Sequence, residues 1–381
     1  MKRASAAQIG ALVSQHQLRT LTGRSQVVLC GRASAAIQAA LTVIGAQNRP
    51  VLIPANTCYI VLWAVIRAGA QPVLVDIDPA TGNITPETLA AVDINHPAAV
   101  IPCHLYGIPA PMQAITAWAR ERGAFVIEDA ALALGAVCED KPAGSHGDLS
   151  IFSFGTGKII DVGLGGAALT NDAAFADELR HVLDTFPVWT HTLEDLSDQW
   201  AELYFALHRF EQTAPVRALY PPLFDRYGET TAYRVDRAHW RMLADALDDA
   251  PVNFAHRRAL AAHYDEAFVP LRFRSTSALY DAESPVTVER PEGAMLWRYP
   301  LFVPPIHREA VLKHVWASGI TEATCWYPSL QAMRAALCPD LPITSTPHAD
   351  LWGQCVINLP NDPATTFEDA ARAAAVFRGF W

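Results

Sequence analysis

Two stretches decide the reading: ValIleGluAspAlaAla, from Val126 to Ala131, and PheSerPheGlyThrGlyLys, from Phe152 to Lys158. Each is a short apolar run that ends in reactive groups. The first delivers Asp129 at the end of a strand; the second delivers Ser153 and Lys158 into a Gly-rich turn. An aldehyde is held as a Schiff base by a lysine amine, and burial or nearby positive charge lowers that amine's pKa enough to make it nucleophilic. A buried carboxylate keeps a pyridine nitrogen protonated, and hydroxyl and backbone N–H donors in a Gly-rich turn receive a phosphate. Together these demands describe pyridoxal 5'-phosphate (PLP), with Lys158 as the amine, Asp129 as the pyridinium partner and Ser153 on the phosphate.

Outward from that centre, apolar runs recur at 27–29, 51–53, 72–75, 100–103, 125–127, 151–154 and 167–169. Ala- and Leu-rich stretches at 33–44, 58–68, 86–91, 112–122 and 173–184 alternate with most of them. The pattern predicts an α/β core whose seven strands form a mostly parallel sheet covered on both faces, with ligands at the C-terminal strand ends. Residues 184–231 have a different texture, with Trp189, Trp200, Tyr204, Phe205, Phe210, Tyr220 and Phe224. They read as a helical pair capping the core, or as a wall of the substrate pocket or dimer arm. The expected division is a large PLP-binding domain, 1–231, and a smaller C-terminal α/β domain, 232–381, with a helix around 255–268.

The bulk numbers exclude more than they identify. With 381 residues, 51% hydrophobic and 18% charged, the chain has the material for a large core. Its net charge of -10 argues against a nucleic-acid surface. Seven cysteines without a CxxC pair make no disulfide framework and point to a reducing cytoplasm. The N-terminal stretch has no long apolar segment and no apolar run is long enough to span a bilayer, so no membrane association is expected. The histidines lack HxxxH or HExxH spacing, and no metal is expected. GlyThrGlyLys is similar to the end of a Walker motif, but Ile159 replaces the hydroxyl residue and Phe152 the first glycine.

The order of the central motifs, with GlySerHisGlyAspLeu (Gly144 to Leu149) and GlyLeuGlyGlyAla (Gly163 to Ala167), resembles the DegT/DnrJ/EryC1/StrS aminotransferases. CysGlyArgAlaSerAlaAla (Cys30 to Ala36), IleProAlaAsnThrCysTyr (Ile53 to Tyr59), ValAspIleAsp (Val75 to Asp78) and HisLeuTyrGly (His104 to Gly107) follow the family's order upstream. AlaTyrArgValAsp (Ala232 to Asp236), TrpTyrPro (Trp326 to Pro328) and AsnLeuPro (Asn358 to Pro360) do so downstream. The resemblance implies a PLP-dependent transferase of fold type I, in which residues 184–231 are longer than the family's usual spacing and form a helical insertion. It implies a phosphate turn at Gly31, Arg32 and Ala33, a substrate-side loop with Trp326 and Tyr327, and a homodimer with shared sites in which Tyr233 and Arg234 reach across. His104 stacks near the ring, orients a loop or is simply structural. Asp129, Ser153 and Ser34 have plainer alternatives as helix cap, strand serine and helix cap.

Several positions depart from the family pattern. Leu132 replaces the usual Gln or His and offers the cofactor's phenolic oxygen no hydrogen bond. Cys58 replaces the stacking aromatic, with Tyr59 next to it as a substitute. Arg32 stands for a frequent Thr, Ala232 for an Asn and Leu164 for a Glu; the Arg32 guanidinium is suited to a phosphate. The implied reaction is ping-pong transfer of an amino group from an amino acid, often glutamate, to a keto-sugar, nucleotide-linked in many members, or a related carbonyl compound of glycan or antibiotic biosynthesis. The alternatives are another PLP reaction, such as dehydration or elimination, a non-sugar substrate, or a catalytically silent regulator. Retention of Lys158 argues against the family's dehydratase branch.

Overall fold

A computed structural model describes residues 6–207, 214–236, 238–268, 286–288 and 290–380; Phe210 of the aromatic-rich segment lies outside them. Helix Ala6–Thr22 leads into strands β1 (Gln26–Cys30), β2 (Pro50–Pro54), β3 (Gln71–Val75), β4 (Ala99–Val100) and β5 (Phe125–Asp129). A hairpin of β6 (Val137–Cys138) and β7 (Lys141–Pro142) precedes β8 (Leu149–Ser153) and β9 (Gly166–Thr170). Seven strands make one sheet in the order β1-β9-β8-β5-β4-β2-β3. Only β9 runs antiparallel to its neighbours, as the sequence pattern of a mostly parallel sheet leads one to expect. Helices Ala33–Val43, Tyr59–Arg67, Pro86–Ala90, Met112–Glu121 and Ala173–Leu183 lie where helical composition predicts them.

Strand side chains alternate between faces, and here both faces are apolar. Val51, Ile53 and Ile127 enter the main core, whereas Leu52, Val100 and Val126 enter a second layer with Met112, Ile115 and Trp118. Each such side chain, fully buried, contributes about 1.5–3 kcal/mol. The sheet is therefore rigid, and its strand ends can hold reactive groups in place.

Strands β10 (Val286–Thr287), β11 (Arg298–Phe302) and β12 (Val356–Pro360) form a separate antiparallel sheet. Helices Ala250–Ala267, Pro305–Ala317 and Phe367–Phe380 close a core around Tyr264, Phe268, Tyr299 and Phe377 on it. Helix His239–Asp248 packs instead on Ala6–Thr22, where a Cβ on Gly10 would lie 2.8 Å from the Arg241 nitrogen. Helix Ala250–Ala267 spans both cores, with Phe254 in the first and Leu260 and Tyr264 in the second.

The aromatic-rich segment is helical at His191–Leu207, Ala214–Arg217 and Tyr220–Tyr227. Pro221 and Pro222 sit in the first turn of the last of these, where missing N–H groups cost nothing. Trp200 stacks on Trp63 at 4.7 Å, and Tyr204 lies 4.3 Å from Tyr59 and 5.5 Å from Trp326. The segment thus caps the core and also touches the TrpTyrPro loop.

Candidate active site

The parallel strands end together, and the candidate residues collect at those ends. Asp129 is the last residue of β5, and Ser153 the last of β8, its neighbour in the sheet. The chain then turns back to β9 through a loop in which Gly157, Gly163 and Gly165 have φ of +77°, +81° and +107°. A side chain at those angles would be strained. Asp161 fastens the loop by accepting from the Gly157 and Gly163 amides at 2.6 and 2.8 Å. From outside, Asn253 donates to the Ile159 carbonyl at 2.8 Å, and the Trp297 indole N–H to that of Gly157. Lys158 is consequently held on a braced loop rather than a free one.

Lys158 faces a small set of groups. Burial pushes its amine's pKa down; Cys58 and Asp129 pull it back up, and Arg32 pushes it further down. Burial likewise pushes the Asp129 carboxyl up, against the Ala131 amide, Lys158, Cys103 and His104. The Ala131 amide donates to Asp129 Oδ1 at 3.0 Å, so the carboxylate organises its own turn as well. The opposing shifts bring both groups closer to changing protonation near neutral pH, a common property of reactive sites.

The turn after β1 closes another side. A Cβ on Gly31 would lie 2.1 Å from the Tyr233 carbonyl oxygen, so only glycine allows this approach. Ala33 opens the following helix, and Arg32 is its N-cap position without a capping side chain. Arg32 Nη1 donates to the Thr230 carbonyl at 3.1 Å. Ser34 does not cap the helix but donates to the Thr231 carbonyl at 2.5 Å. Burial opposes the Arg32 charge, yet the Tyr233, Tyr59 and Cys58 groups facing it outweigh this and raise its pKa.

Cys58 precedes helix Tyr59–Arg67 and is near Lys158 and Asp129, whereas the Tyr59 ring packs among Trp63, Trp200 and Tyr204. Leu132 is buried in the main core. Burial pushes the Tyr327 hydroxyl's pKa well above the usual range, and the nearby Cys58, Tyr106 and Asp129 groups push it the same way. The Tyr327 ring stacks between Trp297 at 6.0 Å and Tyr106 at 6.2 Å, and the Tyr106 hydroxyl donates to the Trp326 carbonyl at 2.8 Å. The TrpTyrPro loop is thereby anchored beside the Asp129 end of the sheet. Tyr233 packs 4.3 Å from Trp189, and half-buried Arg234 donates through Nε to the Phe186 carbonyl at 2.8 Å. Cavities of about 460 and 710 Å³ flank the site, one along Gly31, Tyr233 and Arg234 and the other along Gly157, Lys158, Trp297 and Arg298.

His104 is fully enclosed and both ring nitrogens are engaged. Nδ1 accepts from the Ala110 amide at 3.0 Å, so Nε2 carries the proton and donates to Glu128 Oε1 at 3.0 Å. The sequence reading had no role for Glu128, Cys103 or Asp161. Each acts through partners distant in sequence or through geometry within a loop, which motif spacing alone does not express. Elsewhere Cys138, Glu139 and His146 bring three ligand types within 4.8 Å. These groups are already partnered: the Cys138 thiol donates to the Ala110 carbonyl at 3.2 Å, and Glu139 accepts from the Gln113 amide at 2.8 Å. Among the described residues, no helix is long and apolar enough to cross a membrane.

The sheet order and the site at its strand ends define the type I fold of PLP-dependent transferases. A crystal structure of a DegT/DnrJ/EryC1/StrS aminotransferase from Brucella abortus superposes with a TM-score of 0.76 at 24% identity, over 97% of this chain and 90% of that one. Residues 14–378 match the DegT/DnrJ/EryC1/StrS aminotransferase family, and the chain belongs to it. Among curated relatives, a pleiotropic regulatory protein of Geobacillus stearothermophilus is 35% identical over 227 residues, 58% of each chain. GDP-perosamine synthase of Caulobacter vibrioides is 38% identical over 159 residues, 42% of this chain and 43% of that one. The chain matches about half the length of these curated relatives.

Proposed function

We propose that the protein is a PLP-dependent aminotransferase that moves an amino group from an amino acid, glutamate being the first to test, to a keto-sugar carried on a nucleotide. The observation that carries this reading is that Lys158, on the loop after β8, comes close enough to Asp129, at the end of the adjoining β5, for each to shift the other's pKa, the two groups moving in opposite directions. The donor set fits the cofactor: an amine for an aldehyde, a carboxylate for a pyridinium, and Ser153, Arg32 and the 31–33 amides for a phosphate. PLP supplies the carbonyl that captures amines and the ring that takes up electrons. Lys158 Nζ holds the cofactor and, when free, carries a proton on and off the substrate carbon. Asp129 holds the proton of the ring nitrogen. Trp326 and Tyr327 would shape the substrate side, and Leu132 would itself offer the cofactor's phenolic oxygen no hydrogen bond.

Family membership and the resemblance to GDP-perosamine synthase support a sugar acceptor. The proposed protein is a homodimer that completes its sites across the interface. Arg234 is the better placed residue to reach a partner, because Tyr233 is buried against its own chain. The proposed large domain and smaller C-terminal domain meet along helix Ala250–Ala267, which enters both cores, rather than at residue 232, because helix His239–Asp248 packs on Ala6–Thr22. One observation favours a second reading, a silent regulator: the likeness to a pleiotropic regulatory protein.

A visible absorption spectrum, borohydride reduction and peptide mapping separate the two. A pyridoxyl group on Lys158 is the expected result; a colourless protein that stays unlabelled with added PLP overturns the enzyme reading. Glutamate-dependent amine formation on keto-sugars then tests the acceptor class, and loss of water without 2-oxoglutarate formation would replace transfer by elimination chemistry.

A further inference from the structure

We infer that Cys103 is a positioning residue for Asp129, its thiol being held by Thr57 and donated to the carboxylate that faces the cofactor. This inference rests on the PLP reading of the site only for its consequence, not for the bond itself. The backbone brings the residues together: Cys103 and Asp129 form a parallel bridge, the Asp129 amide donates to the Pro102 carbonyl at 2.8 Å, and the His104 amide to the Asp129 carbonyl at 3.0 Å. Thr57, Cys103 and Asp129 are all buried.

A thiol has one proton to give. Cys103 Sγ lies 3.4 Å from Asp129 Oδ2 and 3.7 Å from the Ile101 carbonyl. The nearer acceptor is also the charged one, and hydrogen bonds to ionised groups are the stronger. Thr57 Oγ1, 3.1 Å from the sulfur, then donates to the sulfur lone pair. The chain of donors runs from Thr57 through Cys103 to Oδ2, while the Ala131 amide fixes Oδ1. Both oxygens are oriented, but Oδ2 receives only a weak S–H donor. It therefore keeps its capacity for a stronger one, the N–H of the pyridinium.

Conservative variants separate donation from space filling. A merely structural Cys103 would tolerate Cys103→Val, which is apolar and of similar size, and suffer from the smaller, polar Cys103→Ser. A donor gives the opposite order. PLP affinity, measured by equilibrium dialysis with folding checked by circular dichroism, should fall about 3–10-fold in Cys103→Val and stay within about 2-fold in Cys103→Ser. Thr57→Val should move affinity in the same direction as Cys103→Val, with Thr57→Ser restoring it. Wild-type affinity in Cys103→Val together with loss in Cys103→Ser overturns the inference. In the apoprotein, the infrared S–H stretch that disappears in Cys103→Val should rise in frequency in Asp129→Asn, because a neutral acceptor pulls less on the proton. An unmoved band also overturns it. This second arm needs no cofactor, so a wild-type protein that fails to take PLP would defeat the functional reading while leaving the hydrogen bond separately tested.

Discussion

Glu128 and Asp129 are neighbours on β5, both are buried acids, and their environments drive them in opposite directions. Strand alternation sends them to different faces. Glu128 accepts from the amides of Gly144, His146 and Gly147 at 2.6, 2.8 and 2.9 Å, from Ser150 Oγ at 3.0 Å and from His104 Nε2 at 3.0 Å. Burial pushes its pKa up, but the His104 hydrogen bond and the amide donors outweigh burial and hold it down at about 2. Asp129 has one amide and one thiol as donors, and burial prevails. The number of donors decides the outcome: a fully supplied carboxylate becomes a fixed structural anion, and an under-supplied one stays receptive to another proton-bearing partner.

The sharpest way to break the contrast is to neutralise each acid in turn. Asp129→Asn should lower kcat/KM about 10²–10⁴-fold, the range of an essential proton-handling group, with little change in the urea midpoint. Lys158→Ala should lose at least as much activity and all borohydride labelling. Glu128→Ala should do the reverse in kind. It strands three amides and removes the buried partner of His104 and Arg24, whose Nη2 lies 3.9 Å away, so a destabilisation of about 3–5 kcal/mol is expected in urea unfolding. Equal stability of Glu128→Ala and Asp129→Asn would refute the division of labour.

The two acids also mark what sequence reading reaches. The strands, their crossover helices and the Lys158 and Asp129 positions are legible because periodicity and motif order are local, and the expected sheet agrees with the observed one. The GlySerHisGlyAspLeu motif is equally visible, but its physical purpose is not: Gly144, His146 and Gly147 lend their amides to Glu128, a pairing made only by folding. Cys103 reads as the end of an apolar strand until the bridge places its sulfur on Asp129. Tyr59 stands beside Cys58 in sequence, yet the helix His191–Leu207 decides where its ring packs. The aromatic-rich segment likewise reads as either a cap or a pocket wall, because composition does not say that Tyr204 reaches both Tyr59 and Trp326.

Acid titration sharpens the same comparison at slightly smaller scale. Glu128 has a folded pKa of about 2 against an ordinary value of 4.5, so its contribution is fully present above the ordinary value and is lost as pH falls toward about 2. The shift corresponds to about 3 kcal/mol. Asp129 is raised, so its ionisation opposes folding of the apoprotein as pH rises above the ordinary carboxyl range. Urea unfolding between about pH 2 and 5 should show stability climbing with pH, and Glu128→Gln should flatten most of that climb. A slope unchanged by Glu128→Gln would locate the acid sensitivity elsewhere.

The smallest test removes one donor and leaves the rest. Ser150 lies on β8, donates to Glu128 Oε2 at 3.0 Å and accepts from Arg24 Nη2 at 3.1 Å. Arg24 retains the Gly144 and Gly147 carbonyls, and Glu128 retains its three amides and His104. Ser150→Ala should therefore cost only about 1 kcal/mol, the net worth of a single hydrogen bond. It should also move the acid unfolding transition upward, because Glu128 binds its proton slightly more readily with one donor fewer. Lys158 and the Asp129 face of β5 are not touched by this change, so cofactor labelling should stay intact. A large loss of labelling in Ser150→Ala would mean that the two faces of β5 are coupled, and that the structural acid sets the chemistry of its neighbour as well as holding the loop behind it.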